Sequence, residues 1–580
     1  MPETNINKLP TNPNLDNNLQ NQGKVRLVDS EVNSTDICEI ENQPLPTEEE
    51  EKTLQRVCET IPWACWLVAI VELCERFAYY GLSGPFMNYM QYKPDDRIPG
   101  ALGLGQKKSN ALSYFFQFWC YVCPVFGAWI SDTYLGKYKA ICWFTGIYTI
   151  GILVLFLTSL PVSIENNVSF GGFIAAIIII GLGTGGVKAN VSPLIADQIP
   201  TFTSYVKTNK KGERVIVDPA VTYQTVFMVF YLCINVGSLS SIATTTLEKE
   251  VGFWAAYLLP FCFFFVGVGA LIIGQNIYIK TPPSKTIIGN SFRISFITLL
   301  NRGKFEAAKP SFHPEKSYPW TDLFVEEVRR ALLACQVFVF FIVYWVVYGQ
   351  MLNNFVSQAG QMELHGIPND IMQNIDPLTI IIFIPICERL FYPFLRKIGI
   401  KFKPITRIFW GFMMGSVAMA YAAIVQKLIY NAGPCYEHPL ECAASDDGNI
   451  PNHIHVAVQS PAYFFIAMSE IFASITGLEY AYTKAPPQMK SFVMSLFLLT
   501  SAGGSALGIA LSPTAEDPKL VWTYTGLCVA CFITGIMFYF CFRKLNDMEE
   551  DLNRLDFEEK LQAQEKSLED EKDIEKVAKA

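Results

Sequence analysis

Three charged residues lie close together in the first long apolar segment of the chain. Glu72, Glu75 and Arg76 interrupt this stretch, and their offsets of three and four residues put them on one face of a helix. Each charge near the centre of a membrane helix costs roughly 2.5–3.5 kcal/mol. Pairing Glu72 with Arg76 offsets part of that cost but leaves one carboxylate in excess. The excess acid predicts a proton or ligand site in a polar cavity; an ion cluster that fixes the helix position is the alternative. Tyr79 and Tyr80 follow one turn later and can present hydroxyl groups to the same cavity.

Further charges interrupt later apolar segments. Lys188 closes the glycine-rich stretch 183–188, and small residues of this kind let helices approach closely, so we expect the lysine to point inward. Asp376 and Glu470 lie in two apolar segments of the second half of the chain. A cavity with basic groups on one half and acids on the other would suit a zwitterion.

The elements that position these residues are membrane spans. The 580-residue chain is 51% hydrophobic and only 17% charged, and its apolar residues lie in long runs. A soluble protein carries about 25% charged residues, and one bilayer crossing needs roughly 20 apolar residues. The runs predict an all-α polytopic membrane protein with twelve spans near 61–90, 109–131, 139–160, 172–196, 220–243, 252–279, 331–359, 369–394, 405–428, 459–484, 489–512 and 519–542.

The charged break at 280–330 divides these spans six and six, which predicts two packed six-helix bundles. We expect a disordered tail at 1–55, a first bundle at 56–279, a linker at 280–330, a second bundle at 331–542 and a charged tail at 543–580. Lys and Arg concentrate in the loops on the side of both tails, so both termini are expected in the cytoplasm. The net charge of −8 argues against a nucleic-acid partner.

Two cysteines stand apart from the other fourteen of the chain. Cys435 and Cys442 lie in the polar loop 429–458, which the predicted orientation places outside the cell. An oxidising compartment permits disulfides. We therefore expect the two cysteines to be joined.

Four segments of the chain resemble motifs of the proton-coupled oligopeptide transporters. Residues 72–81 are similar to the family's ExxERFxYYG signature, and 127–137 resemble its version of the major facilitator loop between the second and third helices. Residues 230–239 are similar to its fifth-helix signature, and 477–486 to the end of its tenth helix. The resemblance covers 61–542 and implies the major facilitator fold. The pattern from Tyr344 to Gln350 is similar to the fungal branch.

The resemblance also implies roles for individual residues. Glu72, Glu75 and Arg76 would take part in proton coupling. The resemblance implies a peptide site with Lys188 near the peptide carboxylate and Glu470 near its ammonium group. Its other members from the family are Tyr79, Tyr121 and Asn235. We add Tyr80, Tyr344 and Asp376 to the predicted site, although relatives often have Asn where this chain has Asp376.

Two positions depart from the pattern of the family. Many members carry an acid where this chain has Gly349, and many bacterial members carry arginine where it has Ser83. We expect Asp376 to supply the negative charge that is missing at 349.

The junction between the second and third spans is predicted to serve as a gate. Asp132, Gly136, Lys137 and Lys139 lie at its cytoplasmic side. Charge pairing there would latch the inward gate. Anchoring by positive charge alone is the simpler alternative, and it suits Lys139 better than Asp132.

The sequence thus predicts a proton-coupled symporter that imports di- and tripeptides across the plasma membrane by alternating access. A same-fold transporter of nitrate or a metabolite is one alternative, and a nutrient receptor that binds peptide without moving it is another. A receptor needs no titratable acid beside its ligand, which counts against it. No nucleotide loop, metal-spaced histidine set or nucleophile elbow occurs, so we expect no enzyme activity, no metal and no cofactor beyond the coupling proton. The protein is expected to function as a monomer.

Overall fold

Eleven helices among the described residues are long and apolar enough to cross a bilayer, and a further helix of 21 residues with three charges precedes them. The computed structural model describes residues 50, 54–199, 204–208, 212–280, 287–312, 318–399, 402–446, 448–484 and 490–543. The spanning helices are α1 Trp63–Ser83, α2 Gly105–Leu135, α3 Lys137–Thr158, α4 Ser169–Asp197, α5 Val221–Glu250, α6 Phe253–Asn276, α7 Cys335–Gly360, α8 Ile371–Leu395, α9 Pro404–Asn431, α10 Val456–Tyr480, α11 Val493–Thr514 and α12 Leu520–Arg543. The predicted all-α polytopic fold is confirmed. Nearly all of the predicted tail at 1–55, and all of 544–580, lie outside the described residues.

The first span is shorter than its apolar pattern suggests. It was predicted at 61–90, but α1 ends at Ser83 and a separate short helix, Phe86–Gln91, follows. Pro85 lies between them, and proline cannot donate the backbone hydrogen bond that a continuous helix needs. Asn88 of the short helix lies at the boundary between the two halves of the protein, where it bonds to Asn369.

A small sheet holds the chain that enters α1, and the sequence analysis missed it. Strand β1, Arg56–Val57, pairs in parallel with β3, Arg214–Val217, which pairs antiparallel with β2, Tyr205–Thr208. Arg56 also forms an ion pair of 2.6 Å with Asp218. The loop between α4 and α5 is therefore tied to the start of the first bundle.

The charged break between the bundles is also more structured than a linker. It contains the helix Ile287–Leu300, and a second helix, Asp322–Ala334, leads into α7. Trp320 donates to the carbonyl of Ala308 at 2.9 Å, and its side chain is buried with the core of the second bundle. Residues 281–286 and 313–317 of this segment lie outside the described residues.

Buried apolar side chains gather into separate cores in the two halves. Two cores draw their buried members from 64–278, and two others from 294–538. Each half therefore has its own tightly packed interior. Such halves can move relative to each other without repacking either core.

Polar contacts join the two halves at one end, which we call the disulfide end because the loop with Cys435 and Cys442 lies there. We call the opposite end, where α1 begins and α12 ends, the tail end. The amides of Asn88 and Asn369 exchange two hydrogen bonds of 2.8 Å across the boundary. Further bonds link Ser241 to Asn374, Ser113 to Asn353, Gln350 to Tyr114 and Arg97 to the carbonyl of Met362. The halves are thus held together at the disulfide end.

Cys435 and Cys442 are joined by a disulfide. Because the closed loop is short, we expect the double variant Cys435→Ser/Cys442→Ser to lose only about 2 kcal/mol of stability. Mass mapping under non-reducing conditions checks the bond, and the thermal midpoint in detergent checks its effect. Cys262→Ser, which removes an exposed free thiol, is the control. Two free thiols at 435 and 442 would contradict the prediction.

Candidate functional site

A cavity of about 160 Å³ lies between the two halves. Tyr80 and Ser83 of α1 and Asn235 of α5 contribute from the first half, and α7, α8 and α10 contribute from the second. The polar contacts of the disulfide end close it on one side, where Ser241 and Asn374 are both lining and bonding residues.

Two carboxylates of the second half face this cavity together. Asp376, near the start of α8, is buried, and Glu470 comes from α10. They repel each other electrostatically, and no ion pair to either is found among the described residues. Asp376 Oδ1 and Glu470 Oε2 are buried without a hydrogen-bond donor in the same part of the chain. A cationic group that enters the cavity would relieve this unfavourable arrangement.

The charged residues of α1 form a second cluster. Arg76 Nε lies 3.2 Å from Glu72 Oε1, and its guanidinium also pairs with Glu75. All three residues are at most 4% exposed. The hydroxyl of Thr184, on α4, donates to Glu75 Oε1. The single arginine therefore bridges two acids, rather than pairing with Glu72 alone.

Lys188 completes this cluster from α4. Its ammonium lies 4.2 Å from the centroid of the Tyr121 ring and interacts electrostatically with Glu75 and Glu72. The sequence analysis inferred one carboxylate in excess on α1. The structure corrects that inference, because Arg76 and Lys188 together balance Glu72 and Glu75. The predicted inward direction of Lys188 agrees with its position.

The structure separates the eight predicted peptide-site residues into two groups of four. The cavity wall includes Tyr80, Asn235, Asp376 and Glu470. The other four do not line it: Tyr79, Tyr121, Lys188 and Tyr344. Tyr79 packs between Arg76 and Phe116, and Tyr344 is buried against Phe341 and Phe412.

Other residues of the wall were missed by the sequence analysis. Tyr348 is the most informative, because it lines the cavity with Glu470 and interacts with that carboxylate. It lies four residues after Tyr344, so helical spacing alone could have identified it. Tyr231, Ser238, Gln373 and Ser474 also line the cavity and carried no comparable signal.

The absence of an acid at position 349 has a steric reason. A Cβ atom placed on Gly349 would lie 2.8 Å from Cε1 of Tyr114. The Tyr114 hydroxyl accepts a 2.7 Å hydrogen bond from Gln350. A larger residue at 349 would displace the ring and this contact between the halves.

The predicted gating residues lie at the tail end of the first bundle. Gly136 links α2 to α3 with a φ of 74°, a conformation that glycine adopts without strain. Lys137 forms an ion pair of 2.6 Å with Asp197, at the end of α4, rather than with Asp132. Both partners belong to one bundle. The latch between the bundles stays a prediction.

Comparison with a family model and comparison with named relatives point to the same family. The model of the POT family, also named PTR2, matches residues 138–528. A Candidozyma auris protein named peptide transporter PTR_A is 62% identical over 91% of this chain and 89% of its own. A Saccharomyces cerevisiae protein named peptide transporter PTR2 is 57% identical over 89% of this chain and 84% of its own.

Solved structures share the fold at low sequence identity. The POT family transporter PepTSo superposes with a TM-score of 0.66 at 21% identity, covering 84% of this chain and 99% of its own. A POT family transporter in complex with a thioalcohol-conjugated peptide superposes with a TM-score of 0.61 at 18% identity, covering 83% and 96%. These similarities extend across the membrane-spanning part of the chain.

Proposed function

The chain belongs to the POT family, and on that premise we propose that it imports di- and tripeptides together with protons. The observation that carries the proposal is the pair Asp376 and Glu470, two carboxylates on one cavity wall with no cation facing them among the described residues. A peptide ammonium group is the ligand that such a wall would bind. The names of the relatives, peptide transporters, support the same substrate class.

Charge on both halves supports binding of the whole zwitterion. The peptide ammonium group would bind at Glu470 and Asp376, and the carboxylate would approach the first half, where Lys188 lies with Tyr121. A peptide that leaves water must have both charged ends paired, because burying an unpaired charge is costly. One ligand that contacts both bundles also favours their closure around it.

Protons would enter this cycle through the cluster on α1. Glu72 and Glu75 share Arg76, and Lys188 lies beside them, so a proton taken up by either acid frees a positive charge. That freed charge could then pair with the peptide carboxylate. Proton binding and peptide binding would therefore favour each other.

The arrangement of the two ends supports alternating access at the plasma membrane. We propose that the disulfide end is extracellular and that both termini are cytoplasmic, so the structure represents a state closed to the outside. Lys137 and Asp132 would take part in closing the opposite end. The protein would act as a monomeric carrier rather than as an enzyme, with protons as its coupling ion.

Uptake of a labelled dipeptide into vesicles tests this function. We expect accumulation above the external concentration when the outside is more acidic than the inside, by about tenfold for one pH unit if one proton is coupled. Without the gradient, the inside and outside concentrations should become equal. Excess unlabelled dipeptide should compete, whereas nitrate should not. The proposal would be contradicted by accumulation that does not depend on the proton gradient, or by competition from nitrate but not from unlabelled dipeptide.

A further inference from the structure

A second pair of carboxyl groups joins the two halves, outside the cavity and at the disulfide end. Glu248 lies near the end of α5, and Asp370 immediately precedes α8. Glu248 is 5% exposed and Asp370 is fully buried. The amide of Asn88 donates both to Glu248 and to Asn369, the residue before Asp370, so the two carboxyl groups lie close to each other. They repel each other electrostatically when both are charged. Each half of the protein therefore contributes one acid to a contact that exists only while this end is closed.

Few hydrogen-bond donors reach this pair. Asn88 Nδ2 donates to Glu248 Oε1 at 2.9 Å. Glu248 Oε2 and both carboxyl oxygens of Asp370 are buried with no donor among the described residues. Two carboxylates that lie close together away from water repel each other, and a proton on one of them removes this repulsion. The same proton would supply the missing hydrogen-bond donor.

The neighbouring charges do not replace that proton. The Lys249 ammonium bonds to the carbonyl of Gly366 and lies 3.6 Å from Glu250, and Arg97 donates to the carbonyl of Met362. Neither forms an ion pair with Glu248 or Asp370 among the described residues. The titratable and charged groups around the pair are Tyr89, Arg97, Lys249, Glu250, Tyr257, Glu363, His365 and Tyr463.

We propose that Glu248 and Asp370 bind one proton between them and that this proton holds the extracellular gate closed. The inference rests on the proposed function for the orientation of the disulfide end. The proton enters from the outside as the gate closes and returns there as it opens. It is therefore not carried across the membrane and does not change the ratio of protons to peptides.

The sign of the pH dependence follows from where the pair is buried. In the closed gate, burial raises the pKa of Asp370 above its usual range. In the open gate Asp370 contacts water and its pKa falls towards about 4. The closed state thus binds the extra proton, so external acid favours closure and external base favours opening. The gate equilibrium should change by up to tenfold per pH unit between the two pKa values.

External labelling of a cavity cysteine measures the gate directly. Ser83→Cys places a thiol on the cavity wall, and a membrane-impermeant maleimide reaches it from outside only while the gate is open. The rate is measured without peptide and without a proton gradient, from about pH 5 to about pH 8. The chain without the added cysteine gives the background. Dividing each rate by that of a fully open cysteine standard removes the pH dependence of the thiol itself.

The pH profile should depend on the acid pair. With both acids present, we expect labelling to rise at least tenfold across this range. In Asp370→Asn, the side-chain amide can donate to Glu248 at any pH, because it does not titrate. The labelling rate should therefore change by less than about twofold across this pH range. Glu248→Gln should lose the pH dependence in the same way as Asp370→Asn. This second variant keeps the test valid if the first does not fold. A profile that keeps its full slope in both variants would overturn the proposal.

Glu363→Gln is the matched control, because Glu363 is a nearby acid that contacts His453 at 2.8 Å and His365 at 3.3 Å. The slope should persist in this variant. If Glu363→Gln removed it while Asp370→Asn kept it, the sensor would be the histidine group and the proposal would be wrong. The ratio of protons to peptides should be unchanged in Asp370→Asn; a lower ratio would show that this proton is carried across. Failure of peptide uptake by the unmodified protein would contradict the proposed function alone.

Discussion

Glu470→Gln is expected to weaken binding of ordinary peptides by about 100-fold, but to weaken peptides with a blocked amino terminus by less than about threefold. Removing one partner of a buried charge pair costs about 2–5 kcal/mol, much of it because the other charge is left unpaired. A blocked peptide has no ammonium group to leave unpaired. The difference between the two ligands therefore reports the contact itself.

Lys188→Gln should show the opposite selectivity. Peptides with a free carboxylate should lose about 100-fold in affinity, and peptides with an amidated carboxyl end should lose much less. Competition for uptake of a labelled dipeptide measures both variants. Because each comparison is between ligands on one variant, it is insensitive to expression.

Glu479→Gln provides a control for the Glu470 measurement. Glu479 lies on the same helix as Glu470, but its side chain is exposed and does not line the cavity. Glu479→Gln should leave the affinity for free and for blocked peptides within about twofold of that of the unmodified protein. Equal losses for free and blocked peptides in Glu470→Gln and Lys188→Gln would contradict the bipolar site. Gating or proton transfer would then be the role of these two residues.

Glu75→Gln is expected to abolish proton-driven accumulation while leaving peptide exchange within about threefold. Glutamine keeps the shape of the side chain and can still accept from Thr184, but it cannot take up a proton. The inside concentration should then equal the outside concentration, even with an imposed gradient. Counterflow of labelled against unlabelled dipeptide measures the exchange that remains.

Thr184→Val is the matched control for this variant. It removes the hydrogen bond to Glu75 Oε1 but leaves a carboxyl group that titrates. Accumulation should therefore persist in Thr184→Val. Normal accumulation by Glu75→Gln would remove Glu75 from the coupling mechanism. Glu72 would then be the acid to examine.

Much of the architecture follows from the sequence because the bilayer restricts the choices. A backbone that crosses hydrocarbon must satisfy its own hydrogen bonds, so long apolar runs become helices. The twelve predicted spans agree with α1 to α12 within several residues at most ends. The charges that interrupt these runs were equally informative, since burying a charge in a membrane is costly without a function. Glu72, Glu75, Arg76, Asp376 and Glu470 were all identified in this way.

Contacts between distant segments could not be read from the same pattern. The three strands near Arg56 and Ile216 are too short and too far apart in sequence to show a periodic signal. Tyr344 and Tyr348 lie one turn apart on the same face of α7, and only the position of the cavity along that helix decides which of them lines it.

The sequence by itself determined which residues carry charge into the membrane, and the tertiary structure decided how those charges are paired. From residue types alone, α1 had one acid too many, and Lys188 was assigned to the peptide. Packing of α4 against α1 places Lys188 beside Glu72 and Glu75 and balances them. Glu248 and Asp370 drew no attention in the sequence, because each lies at the end of a span, where a carboxylate is ordinary. They form a buried pair only because the two bundles meet at that end, and electrostatic energy depends on distance in space rather than on separation along the chain.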